Sequence, residues 1–431
     1  MTDTAPIACD LCVIGSGMAG MSAALFAANR GLSTVLVGRT GEIIFATGFL
    51  DLMGVHPLEA GKVWSDPWAA IAALAQDQPR HPYGKLSVAT IREAFHEILG
   101  FFEAQGLSYT GFPERNAAVL TSVGTLKVTY RVPLTMWSGV AARERKAACL
   151  LVGIQGLKGF STRQIVATAG GAWSGLRTVK VVFPGANPEA EVFAERLARA
   201  LEIEAQREKL AAILKPHIQR AAAVGVPAIL GISRSAEVMR DIEKRIGCPI
   251  FEIPTMPPGV TGLRLKEAFE RGLASRKVNL LLENKVFRVS ASPGAGFLLE
   301  AGRMEPERTI RSAAVLLATG RFMGGGLQAD RHAVREPLFN LPVHQPERRD
   351  HWHREDFLDR RGHPVNRAGL ETDELFRPTD ASGRPAHPLL FAAGSILAHQ
   401  DWMRMKCGSG LALSTAYAAV ESTKAELKKS C

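Results

Sequence analysis

Cysteine is scarce: the chain has six in 431 residues, Cys9, Cys12, Cys149, Cys248, Cys407 and Cys431, scattered along its length. That spacing builds no disulfide framework. The one Cys-x-x-Cys pair, Cys9 and Cys12, has no second pair to complete a four-thiolate zinc or iron–sulfur site, so all six are read as thiols. Long apolar runs are missing too. Ala221 to Ile232 is interrupted by Gly225 and Pro227, well short of the ~20 apolar residues that a spanning helix needs. Aromatic residues make up 7% and do not interleave with basic ones, which argues against nucleic acid. Acidic residues are outnumbered 42 to 52 by Lys and Arg, a formal charge of +10 that suits phosphate-bearing ligands, an acidic partner or an anionic membrane surface. The beginning of the chain carries Asp3 and Asp10 where a secretory signal has basic residues, and a cytoplasmic location is expected.

What is present, 46% hydrophobic and 22% charged residues over this length, fits a globular chain of enzyme size with two or three cores. Leu11 to Ile14 reads as a strand, Met18 to Asn29 as an alanine-rich helix stopped by Gly31, and Thr34 to Val37 as the next strand, one βαβ unit. Farther on, the pattern predicts helices near 91–102, 189–214, 263–273 and 410–428. Strands are expected near 148–152, 178–183, 278–283, 313–318 and 389–392, with a hairpin around Ser292 to Gly296. The fold class expected is α/β, a Rossmann-like domain built from residues 1–50, 258–322 and 386–431. Residues 51–257 and 323–385 are expected to form an inserted cap or partner-docking domain.

Between the first strand and helix lies Gly15-Ser16-Gly17-Met18-Ala19-Gly20, a pattern that lets the chain turn tightly, approach a phosphate and pack helix on strand. The helix start then holds the anion on its free N–H groups. Dinucleotide folds end the second strand in a carboxylate for the adenosine ribose, but this strand ends Val37-Gly38-Arg39, with Glu42 beyond the turn. The absence favours a cofactor ending in phosphate, FMN, with Arg39 as counter-ion and FAD as the alternative; Arg39 beside an NADP phosphate and a solvated Arg39 also remain open. The strand ending Thr319-Gly320, the loop Gly394-Ser395 and the helix start Cys407-Gly408-Ser409-Gly410-Leu411 stand where flavoproteins of the two-dinucleotide-domain type contact their cofactor, so a flavin-binding domain of that type is expected, with these as further contacts.

The whole chain resembles the B-subunit family of bacterial anaerobic glycerol-3-phosphate dehydrogenase. The resemblance runs in order through Val13 to Met21, Ala46 to Leu52, His81-Pro82-Tyr83, Val123 to Leu126 and Val152 to Leu157. It continues through Pro254 to Pro258, Gly262 to Leu265, Arg335-Glu336-Pro337 and Thr372 to Pro378. It implies FMN, with Thr47 and Gly48 beside the flavin, an FAD-bearing partner, and an iron–sulfur partner passing electrons to quinone. It implies oxidation of sn-glycerol 3-phosphate to dihydroxyacetone phosphate, here or in the FAD-bearing partner, and attachment to the inner membrane face through a partner. Bulky residues from Ile396 to Lys406 stand where the family has a glycine-rich loop.

Oxidising a secondary alcohol requires a base, and His399, between the two C-terminal flavin segments, is the candidate. Arginines would hold a substrate phosphate, and Arg264, Arg321, Arg335, Arg377 and Arg404 are candidates, the first two foremost. His351-Trp352-His353 lies in a charged, proline-flanked run and is read as a solvated loop, and no metal is expected. Two other readings stay open: a fumarate-reductase-like FAD enzyme with a carboxylate substrate, and a non-catalytic partner that keeps the fold.

Overall fold

The computed structural model describes residues 5–39, 43–187, 189–292 and 296–430, so Glu42 and Cys431 lie outside the described residues. The chain divides into two compact units, one of Met1–Ile43, Asp51–Ile98 and Phe269–Cys431, the other of Ile44–Leu50 and Leu99–Ala268. The unit with the glycine motif differs from 1–50, 258–322 and 386–431: it takes in 51–98 and 323–385, which the sequence pattern sets apart, and leaves 44–50 and 258–268 to the other unit.

In the first unit β1 (Ile7–Ile14) leads through the glycine turn into α1 (Met18–Asn29) and back to β2 (Thr34–Gly38). The sheet is completed by β3 (Asn279–Leu282), β4 (Lys285–Ser292), β5 (Gly296–Gly302), β6 (Arg308–Leu317) and β7 (Leu390–Ala392), and α2 (Gly408–Ser430) follows. The strand order is β3-β2-β1-β6-β5-β4, with β7 pairing β6. β1 runs parallel to both β2 and β6, and Ile14 pairs with Val37 on one side and Leu317 on the other, so three strands end level. That edge is where open α/β sheets bind ligands. The alanines of α1, with Ala19, Ala23, Ala24 and Ala27 buried, allow close packing along α2, which buries Leu411, Leu413, Ala416 and Val420. A helix apolar on nearly every side is held by burial rather than by an amphipathic stripe. The hairpin expected around 292–296 is the β4–β5 pair, antiparallel from Lys285↔Gly302 to Ser292↔Gly296.

The second unit holds a sheet that the sequence discloses only in part. Strands Cys149–Ile154 and Leu176–Val181 match the expected ones, and Ala223–Pro227 and Ile250–Ile253 join them in a four-stranded parallel sheet. All five residues of Ala223–Pro227 are buried, and a continuous apolar run without alternation is what a strand covered on both faces requires. The single helix expected over 189–214 is two, Ala194–Leu201 and Glu204–Ile218. The break has a cause: the Glu202 carboxylate leaves the helix to accept the Ile232 and Ser233 N–H groups at 3.0 and 2.7 Å. Arg207 then covers the Leu201 and Glu202 carbonyls at 3.1 and 3.0 Å. The hydrogen bonds to its carboxylate hold the Glu202 carboxyl below its usual range against the opposing effect of burial.

Candidate flavin-binding site

A crevice of about 470 Å³ opens at the level ends of β1, β2 and β6. Gly15, Ser16, Gly17, Gly38, Arg39, Ala318 and Thr319 line it on the sheet side, and Asn284, Lys285 and the turn Met323-Gly324-Gly325 complete its lining. Its size falls within the ~300–1,000 Å³ of small-molecule sites. Gly15 sits at φ +117°, and a Cβ there would stand 2.2 Å from the Ala318 carbonyl oxygen. α1 begins at N-cap Gly17 without a capping side chain and with no acid in its first turn. Its first N–H groups are therefore available to an anion, and Arg39 and Lys285 border the same space. Two buried acceptors face no partner among the described residues, Thr319 Oγ1 and Asn284 Oδ1. Unsatisfied buried polar atoms in a crevice with a helix start fit a polar, anionic cofactor.

The end of β2 explains why no ribose carboxylate is present. A Cβ at Gly38 would lie 2.5 Å from the Ser16 backbone nitrogen and 2.6 Å from its Oγ. Ser16 Oγ in turn donates to the Arg39 carbonyl at 2.6 Å, so it is fixed. The position is closed to any side chain.

Of the other expected cofactor residues, Met18, Ala19 and Gly20 form the first turn of α1, and Gly320 follows Thr319 after β6. Gly394 donates its N–H to Thr415 Oγ1 of α2 at 2.9 Å, while Ser395 offers its carbonyl to Arg321. Gly408 opens α2; Ser409 Oγ accepts from Asp51 N at 2.6 Å, and Gly410 N donates to Asp51 O at 2.6 Å, so this helix start ties Asp51 down. Leu411 is core. Thr47 and Gly48 belong to the second unit, where Tyr109 Oη donates to Gly48 O at 2.8 Å. Asn284, Lys285 and the 323–325 turn escape sequence reasoning, although three consecutive glycines, Gly324 to Gly326, are a visible signal.

The expected phosphate-binding arginines are occupied. Arg264 is buried in the second unit, with Nη1 at 2.6 Å and Nη2 at 2.8 Å from the Glu252 carboxylate and Nε at 2.9 Å from Gly231 O. Arg321 gives its donors to the Ser395 carbonyl at 2.8 Å, the Gln400 carbonyl at 2.6 Å and the Asn366 carbonyl; burial brings its pKa down to about 10. Arg335 pairs with Asp330, Arg377 with Asp373, and Arg404 with Asp401. Arg264 and Arg321, the two foremost candidates, thus each meet acceptors of their own unit in the structure. His399 is not an isolated base either: its Nε2 lies 2.7 Å from Glu371 Oε1, and its ring centroid is 4.2 Å from that of His344. The bulky 396–406 segment folds inward, with Ile396, Leu397 and Gln400 buried and the short helix Trp402–Met405 capped by Asp401. His351 and His353 are exposed on either side of buried Trp352.

In comparisons with known proteins, the FAD binding domain family matches residues 10–411. The probable anaerobic glycerol-3-phosphate dehydrogenase B subunit of Halobacterium salinarum is 32% identical, over 95% of this chain and 96% of its own. The anaerobic glycerol-3-phosphate dehydrogenase B subunit of Vibrio vulnificus (strain YJ016) is 28% identical over 96% and 95%. Among solved structures, the 3-ketosteroid Δ1-dehydrogenase of Sterolibacterium denitrificans aligns at a TM-score of 0.42 and 12% identity, covering 97% of this chain and 99% of that one.

Proposed function

Because this chain belongs to the FAD-binding flavoprotein family that contains the B subunits of anaerobic glycerol-3-phosphate dehydrogenase, we propose that it is the flavin-bearing electron relay of such a complex. In this reading sn-glycerol 3-phosphate is oxidised to dihydroxyacetone phosphate on the FAD-bearing partner, releasing two electrons and two protons. This chain takes up the electrons and passes them to an iron–sulfur partner that reduces quinone at the membrane. A bound flavin supplies a carrier able to exchange electrons in pairs or singly. The observation that carries the reading is the state of the arginines: all five candidates for a substrate phosphate meet carboxylates or carbonyls of their own unit. No helix among the described residues is long and apolar enough to cross a membrane, in keeping with membrane contact through a partner.

The cofactor proposed is FMN. Gly15, Ser16 and Gly17 with the first turn of α1 hold its phosphate, and Arg39 balances the charge. Ser16, pressed against Gly38, leaves no position for the carboxylate that would bind an adenosine ribose. FAD is the second reading, supported by the reach of the crevice to Asn284, whose Oδ1 could accept from a ribose hydroxyl in place of that carboxylate.

The relay role has a direct test. Under anoxic conditions, sn-glycerol 3-phosphate added to the purified chain alone leaves the visible band of the oxidised flavin unchanged, and adding the FAD-bearing partner bleaches it. Bleaching of the lone chain at catalytic rates would place substrate oxidation here.

A further inference from the structure

We infer that His344, Glu371 and His399 form a binding site for a divalent transition-metal ion of the zinc or ferrous class. No sequence motif announces it, because the three residues lie 27 and 28 positions apart. In the fold, one potential ligand atom from each falls within 4.8 Å of the others. His399 Nε2 is 2.7 Å and His344 Nδ1 4.0 Å from Glu371 Oε1. Ligands bound tetrahedrally at ~2.0–2.1 Å stand about 3.3 Å apart, so the observed separations bracket the value that an ion imposes. Two imidazoles and one carboxylate, with positions left open to water, are a donor set for zinc or ferrous iron rather than for hard cations.

The frame is built before any ion arrives. His344 and Gly369 exchange N–H···O bonds at 2.8 and 3.1 Å. Leu370 N donates to Ile396 O and Ala398 N to Leu370 O, both at 2.9 Å, and His399 N donates to Arg367 O at 3.0 Å. Three chain segments are thus laced together by backbone bonds, one ligand on each, all within the first unit. His399 is held at φ +65°, a left-handed conformation that costs a non-glycine residue about 1 kcal/mol or more and that collects at functional positions. Glu371 and His399 border an open cavity of about 230 Å³, room for an ion with its waters. Arg80, 3.6 Å from Glu371, competes for the carboxylate, but its side chain is 78% exposed and can swing into solvent.

The ion would replace one hydrogen bond with three coordinate bonds and lock the 396–406 segment to Glu371 and His344. It makes no use of the crevice at Gly15, so the inference stands or falls apart from the relay role. The test is Zn²⁺ titration of untagged, EDTA-stripped protein against a competing chelator dye. Wild type takes up one equivalent that Mg²⁺ and Ca²⁺ do not displace. Glu371→Gln and His344→Ala each weaken uptake by about 100-fold, at least the effect of losing an outer-sphere partner, while flavin content and thermal unfolding of the stripped protein stay unchanged. His351→Ala/His353→Ala, on the neighbouring histidine-rich loop, leaves uptake intact. Absence of stoichiometric uptake, or uptake by Glu371→Gln equal to wild type, would overturn the inference; Glu371→Gln keeps the shape and hydrogen bond of the side chain, so it answers even if His344→Ala misfolds.

Discussion

Gly15→Ala yields protein that has lost its flavin. The added Cβ would stand 2.2 Å from the Ala318 oxygen and 2.6 Å from its carbonyl carbon, at a φ of +117° that alanine rarely adopts. Neither neighbour is the tip of a flexible side chain. Ala318 N donates to Ile14 O at 2.8 Å, so relieving the clash means opening β1 from β6 at the floor of the crevice. Strain of this kind costs roughly 3 kcal/mol. It falls beside the N–H groups proposed to hold the phosphate, so flavin per protein, read from the visible-to-ultraviolet absorbance ratio, drops at least about tenfold, as ~1.4 kcal/mol of lost binding energy suffices for that. Circular dichroism of the colourless protein retains its α/β signature, since the rest of the sheet is untouched. A yellow Gly15→Ala protein would mean that the flavin is held elsewhere.

Arg264→Ala is the second large effect, and it separates a brace from a substrate ligand. Arg264 is 4% and Glu252 1% exposed, and the guanidinium spans the carboxylate and the Gly231 carbonyl. Removing one partner of a buried pair costs about 3–5 kcal/mol, because the other charge stays behind uncompensated. Glu252 Oε1 keeps its bond from Leu230 N at 2.6 Å, which is too little to hold a buried charge. Urea unfolding of Arg264→Ala therefore shifts to markedly lower denaturant, and Arg264→Met paired with Glu252→Gln recovers part of the loss, because no charge is then stranded. Unchanged stability with impaired turnover of the complex would return Arg264 to substrate binding.

Both effects lie at positions that the sequence marks, Gly15 by its turn and Arg264 by its charge. β1, α1 and β2 are legible because local order dictates them: an apolar run, glycines at a turn, and alanines at helical spacing. The partners of the arginines are hidden in the sequence for a physical reason. A guanidinium looks the same in sequence whether its acceptor is a substrate or Glu252, twelve residues upstream on a different element. Gly38 tells only half its story as a missing carboxylate; that Ser16 closes the position is a contact made across the sheet edge. Ala223–Pro227 escapes because a buried strand has no alternation to betray it, and the break at Glu202 because its cause is two N–H groups thirty residues on. The His344–Glu371–His399 cluster is likewise assembled by backbone pairing that no local pattern announces.

The central claim is that the Gly15–Gly20 crevice holds a flavin that ends in a phosphate. Extracting the cofactor from anaerobically purified protein and measuring its mass tests this most directly. FMN is the predicted result, with fluorescence unaltered by phosphodiesterase. FAD, brightening on phosphodiesterase treatment, would contradict it and would mean that Asn284, or a group like it, does the work of the carboxylate that Ser16 excludes from position 38.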